Sequence, residues 1–76
     1  MDMELTKIQM VQDFSELAEQ YDGAASNERL WAKGSDTEEE IQMHEENAEH
    51  AVMMAEMYRR MAKYPDAVLK LFYTED

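Results

Sequence analysis

A helix of about 28 residues is predicted in the middle of this 76-residue chain from its start and stop signals. The segment from Ser35 to Glu40 holds three overlapping pairs, each with the spacing of a capping box. Pro65 sets the other end, because proline disfavours helical backbone at the residue before it. A helix over about residues 36–64 would be roughly 42 Å long at 1.5 Å per residue, which is long for so small a chain.

Two seams of mainly apolar residues run along this predicted helix with heptad spacing. The alanine seam consists of Ile41, His44, Ala48, Ala51, Ala55, Tyr58 and Ala62. The methionine seam consists of Met43, Asn47, His50, Met54, Met57, Met61 and Tyr64. The seams lie about 120° apart at 100° per residue, and a helix with two apolar faces packs on two neighbours. One neighbour is the first helix; the second is the C-terminal segment, another copy of the chain, or a foreign partner.

The first helix is predicted from Met3 to about Tyr21. Its apolar residues follow 4-3-4 and 3-4-3 spacings, which place them on one face. The apolar residues are Ile8, Met10, Val11, Phe14, Leu17, Ala18 and Tyr21, and those from Met10 onward follow these spacings. Gly23 is a plausible C-cap, so we expect this helix to stop there.

Two shorter segments flank the long helix. Between Gly23 and Gly34 we expect a short helical piece in which Trp31 covers the open end of the core, with an exposed anchor for a partner as the alternative. After Pro65 a short helix is favoured over a strand, because proline is suited to the first helical position.

These elements predict an all-α fold: a small antiparallel hairpin or bundle forming a single domain over residues 1–76. Chains this short bury only about 60% of their unfolded surface, and this one has no cysteine to form a disulfide. Added burial is therefore expected from association, and a homodimer that completes a four-helix core is predicted.

Charge restricts the class of partner. The chain has 18 acidic and 7 basic residues, a net charge of −11. Nucleic-acid binders use basic surfaces, so neither direct nucleic-acid binding nor binding to an anionic membrane is expected. A basic protein is the partner that this charge favours, and solubility is the alternative explanation of the acidity.

Four glutamates of the long helix, Glu38, Glu45, Glu49 and Glu56, project within about 40° of one another. We call this row the acidic stripe. Its axial intervals are roughly 10, 6 and 10 Å, and the shortest resembles the distance between successive phosphates of one strand. The stripe could occupy a basic groove as a mimic of nucleic acid. The alternative is an ordinary solvent-facing row that complements the helix dipole.

A second candidate surface is apolar. It is predicted to form the buried part of a contact with a partner or a second copy, since methionine adapts to irregular surfaces. Its residues are Met54, Met57, Met61, Tyr64 and Trp31.

No catalytic residue, cofactor or metal site is predicted. The pairs Glu40/His44 and Glu46/His50 have i,i+4 spacing, but they lie about 120° apart and cannot share one metal within a chain. A polar residue within such a seam more often sets register or partner number. The segment Glu45-Glu46-x-x-Glu49 resembles the magnesium motif of all-helical nucleotide pyrophosphohydrolases over about five residues; these enzymes need a second acidic helix, which the later sequence does not supply.

The sequence therefore favours a non-enzymatic inhibitor or regulator that binds a nucleic-acid-binding protein. In type it resembles small acidic accessory proteins of phages and mobile elements. The alternative is a self-assembling structural or adaptor module whose acidity serves solubility, and a metal-dependent nucleotide pyrophosphohydrolase is a remote alternative. With no cysteine, no expected secretory signal and no apolar run of about 20 residues, a cytoplasmic location is expected.

Overall fold

Three helices follow one another in a computed structural model, which describes residues 3–72. They are α1 (Met3–Gly34), α2 (Glu38–Lys63) and α3 (Pro65–Phe72). No strand occurs among the described residues. The predicted all-α fold, with its long central helix and a short helix after Pro65, is confirmed.

Local side-chain chemistry sets both ends of α2. Thr37 is the N-cap in extended conformation (φ −117°, ψ 152°), and the Glu40 N–H donates to its Oγ1 at 3.2 Å. This is the Thr37/Glu40 pair of the three predicted capping boxes. At the other end the Tyr64 N–H donates to the Arg60 carbonyl at 3.0 Å, and Pro65 then begins α3.

The predicted break at Gly23 is wrong, because α1 continues to Gly34. Gly23 has no positive φ, so it is an ordinary helical residue rather than a C-cap. A glycine inside a helix costs about 1 kcal/mol relative to alanine, and packing against a neighbouring helix outweighs that cost. The signal was present in the sequence: the spacing from Phe14 through Ala18 continues without interruption to Ala25 and Ala32.

The hairpin of α1 and α2 packs along small side chains. The residues buried in this seam are all alanines, three from each helix: Ala18, Ala25, Ala32, Ala48, Ala51 and Ala55. Contacts of Glu28 with His44 and of Phe14 with Tyr58 show that the helices run antiparallel. The alanine seam is therefore the intramolecular face of α2, and its small side chains let the two backbones approach closely.

Larger side chains fill the open end of the hairpin, which is the end away from the α1–α2 loop. The Tyr58 ring stacks on Phe14 and on Tyr21, with ring centroids 5.9 and 5.7 Å apart. In α3, Val68 and Leu69 are buried. A Lys7 Nζ to Asp66 Oδ1 contact of 2.7 Å ties α3 to the first turns of α1.

Trp31 does not cover the open end of the core. It lies at the other end of the hairpin, near the α1–α2 loop, and its side chain is 56% exposed. Extending α1 through Gly23 places Leu30 and Trp31 off the buried face, so both remain largely in solvent. Trp31 is therefore exposed, as the alternative requires, and its role as an anchor for a partner stays a prediction.

Gly23→Ala should stabilise the chain by about 0.5–1 kcal/mol, because the position is helical and an added Cβ would meet nothing within 4 Å. Urea unfolding followed by circular dichroism measures the change. Ala24→Gly, at the exposed neighbouring position, is the matched control and should destabilise by a similar amount. A destabilising Gly23→Ala would contradict a continuous α1.

Candidate protein-interaction surface

The acidic stripe lies on the outer side of α2, and all four of its glutamates are exposed. Because α2 is one continuous helix over this span, the carboxylates keep their predicted spacing along a single rod. No ion pair within the described residues includes any of the four. Glu56 also attracts Arg59 and helps to raise the pKa of that guanidinium, so the carboxylates from Glu38 to Glu49 are the ones most available to a partner.

Two basic side chains of α1 border the acidic stripe. Arg29 lines an open groove with Glu49 and Glu56, and Arg29 and Lys33 line another with Glu45. These cations reduce the negative potential along the inner edge of the stripe. Sequence reasoning missed them because it ended the first helix at Gly23. The seven-residue spacing of Ala18, Ala25 and Ala32 continues past Gly23 and would have placed Arg29 and Lys33 beside the α1–α2 interface.

The predicted apolar surface is divided between different parts of the hairpin. Met54 and Met61 are half-buried, whereas Met57 and Tyr64 lie further round α2 and are 42% and 58% exposed. Trp31 lies beside His44, with ring centroids 5.8 Å apart. Met61 follows His44 by roughly 26 Å along the helix axis. These side chains therefore form a row along the hairpin rather than one compact patch.

This row lies on the opposite side of the hairpin from the acidic stripe. On α2, the methionines of the row lie about 135° from the stripe at 100° per residue. On α1, Glu28 and Trp31 contact His44 on one flank, whereas Arg29 borders the acidic stripe on the other. The two sides meet near the C-terminal end of α2, where Glu56 lines one groove with Met57 and Met61. Over the rest of the hairpin a charged side is separated from a largely apolar side.

A polar pair joins the two helices on the apolar side. His44 Nδ1 lies 2.5 Å from Glu28 Oε2, and each side chain is only 19% exposed. The Trp31 ring covers part of the imidazole. A shift of one helix along the other would separate these two side chains, so a role in fixing the register stays a prediction for this pair.

Residues weighed for metal or nucleotide chemistry do not converge. His44 contacts Glu28 of α1, and His50 is exposed. Over the described ranges, no three histidine or acidic side chains are placed to hold a metal ion. Beside Glu45 and Glu49, α1 presents Arg29 and Lys33 rather than carboxylates.

Another cross-helix ion pair lies on the charged side. Arg59 donates hydrogen bonds to Asp22, and these lower the pKa of the Asp22 carboxyl below its ordinary value. The same contact raises the pKa of Arg59. Both side chains are about half exposed, so water and salt screen the pair.

Comparison with known proteins does not assign the chain to a family. No family model, curated protein or solved structure matches it. Across residues 3–72, no helix combines the length and the apolar character needed to cross a membrane. The function has to be inferred from the exposed side chains and their arrangement.

The Glu28–His44 pair should show energetic coupling. Replacing either residue with alanine leaves a mostly buried polar partner and should destabilise the fold by about 1–3 kcal/mol. The double replacement should cost less than the sum of the single ones, and unfolding of the four chains gives the coupling. The exposed Gln42–Glu46 pair is the matched control, with an expected coupling of at most about 0.5 kcal/mol. Equal couplings would contradict a register role.

Asp22 should contribute to the acid dependence of stability. Because its pKa is lower in the folded chain, its contribution is present above the unfolded pKa and lost as pH falls through the folded value. Asp22→Asn should therefore be less stable than the wild type above the ordinary carboxyl pKa of 3.8, and the difference should shrink as pH falls through the lower pKa of the folded chain. Unfolding across that range measures the difference. Glu16→Gln, an exposed change on the same helix, is the control for the loss of one negative charge.

Proposed function

We propose that this chain is a non-enzymatic interaction module whose acidic stripe binds a basic surface on a nucleic-acid-binding protein. In this role it inhibits or regulates its partner by occupying the surface that otherwise contacts phosphates. The absence of cysteine fits action in a reducing cytoplasm.

One observation carries the proposal: four carboxylates on one helix are exposed and have no ion-pair partner in the described structure. A net charge of −11 adds a long-range field of the same sign. Such a field increases the rate of encounter with a basic surface and disfavours encounter with acidic ones. The helix holds the carboxylates in place, so little order is lost on binding.

The charge density of the acidic stripe shows whether it could imitate a nucleic-acid backbone in full or only complement a basic surface. The stripe carries about one carboxylate per 9 Å at helical rise, whereas duplex DNA carries about one charge per 1.7 Å. Arg29 and Lys33 lower the density further along the inner edge. We therefore propose electrostatic complementarity and competition for a basic groove, with the Glu45–Glu49 interval as the closest match to a strand of phosphates.

The second candidate function is a self-assembling structural or adaptor module whose acidity serves solubility. The exposed apolar side of the hairpin favours it. Under this alternative the acidic stripe has no specific partner, and reversing its charges leaves assembly intact.

The test is affinity capture by the full chain from lysate of the source cells at low and high salt, with captured proteins identified by mass spectrometry. Each captured protein is then challenged with duplex DNA and RNA as competitors. The expected result is a basic protein that is captured at low salt, released as the Debye length falls from about 10 Å at 0.1 M to about 3 Å at 1 M, and displaced by nucleic acid.

A pair of charge-matched variants makes the test specific. The stripe variant changes Glu38, Glu45, Glu49 and Glu56 to lysine and should lose the captured protein. The control variant changes Glu16, Glu19, Glu39 and Glu46 to lysine; these are exposed side chains outside the stripe, and the net charge is the same. Equal loss in both variants, or capture unaffected by the stripe variant, would overturn the proposal.

A further inference from the structure

The hairpin is a single layer of helices. Its extents are 53 × 23 × 15 Å, and its Cα radius of gyration is 16.6 Å, against about 11 Å for a compact domain of this length. Its accessible surface of 6068 Å² exceeds the roughly 4,800 Å² of a typical folded monomer of its mass. Stable domains bury apolar faces between at least two layers, so this chain leaves one broad surface uncovered.

The uncovered surface is formed by one row of residues from each helix, and each row follows the helical repeat. On α1 the row is Leu17, Ala24 and Trp31, spaced by seven residues; on α2 the corresponding row includes Met43, Asn47, Met54 and Met61. The contacts of His44 with Glu28 and Trp31 place both rows on the same side of the hairpin. We call this surface the methionine face, defined by Leu17, Trp31, Met43, Asn47, Met54 and Met61.

Charge distinguishes the methionine face from the rest of the molecule. Within its described rows it carries neither lysine nor arginine, and His44 pairs with Glu28. Asp13 and Glu40 lie at its edges, and Glu56 and Arg60 line a groove with Met61 at one end. Two copies with a charge of −11 each repel one another, and contact through this face brings fewer like charges together than contact through the acidic stripe would. A basic partner would be drawn to the opposite side of the hairpin.

The area of the face fits a stable dimer. The helix α2 is about 39 Å long at 1.5 Å per residue, and the hairpin is 23 Å wide. A rectangle of these dimensions covers about 900 Å², so the face has room to bury the roughly 800 Å² of accessible surface that each partner contributes to an interface of standard size.

We propose that the methionine face is the interface of a homodimer, in which two hairpins stack face to face as a four-helix bundle. A second copy offers the same heptad repeat, the same low charge and the same length, as a two-fold interface requires. Stacking converts one layer into two and encloses Met54, Met61 and Leu17 between them. This inference does not depend on the acidic stripe, which remains on the outer surface of each hairpin.

The experiment is sedimentation equilibrium of the full chain, with thermal unfolding measured over a hundredfold range of protein concentration. The expected mass is twice the 8.9 kDa of one chain, and the unfolding midpoint should rise with concentration because association stabilises the folded state. A mass of 8.9 kDa with a midpoint independent of concentration would overturn the proposal.

Two variants locate the interface. Asn47→Lys and Met43→Lys alter side chains that are exposed in the single hairpin, so each adds a charge only where two copies would meet. Each should raise the dimer dissociation constant by more than about tenfold, since a buried unpaired lysine is costly. Gln42→Lys, on the charged side of α2, is the matched control and should leave the mass unchanged.

A dimer that both face variants preserve, or an association only with some other apolar protein, would also overturn the proposal. The stripe variant should still dimerise, which separates this outcome from that of the proposed function.

Discussion

Close packing of α1 on α2 through alanine is the interaction on which the rest of this structure depends. The seam buries three alanines from each helix, and no large side chain is fully enclosed anywhere in the described chain. Alanine contributes little apolar area, but it has no side-chain entropy to lose and lets backbones approach closely. Specificity comes from the larger groups in the same seam: the stacked rings of Phe14, Tyr58 and Tyr21, and the Glu28–His44 pair.

Packing along alanine buries small side chains and leaves many large apolar side chains exposed. Leu30, Trp31, Met43 and Met53 are each about half exposed or more, although nearly half of the chain is hydrophobic. The same packing directs the acidic stripe to one side of the hairpin and the methionine face to the other. The proposed association through the methionine face and the proposed recognition through the acidic stripe therefore use different surfaces, which meet only where Glu56 and Met61 line one groove.

Much of the fold could be predicted because the signals that define α2 are local. Thr37 and Glu40 cap its start, and Pro65 ends it without help from the rest of the chain. The alanine seam followed from heptad spacing alone. The predicted stop at Gly23 is wrong because a glycine inside a helix costs only about 1 kcal/mol relative to alanine. The packing of Ala25 and Ala32 beyond it outweighs that cost. The position of the acidic stripe on α2 could be predicted from helical period alone. The positions of Arg29 and Lys33 beside it could not, because they depend on α1 continuing past Gly23.

The sequence by itself determined the all-α class, the limits of the long helix and the positions of the acidic stripe and two apolar seams on it, because these depend on helical period and on capping within a few residues. Only the tertiary structure decided that the alanine seam is covered within the chain, that His44 pairs with Glu28, and that Trp31 stays exposed. These outcomes depend on the register between residues far apart in the chain, where the total packing energy of α1 against α2 exceeds any single local preference.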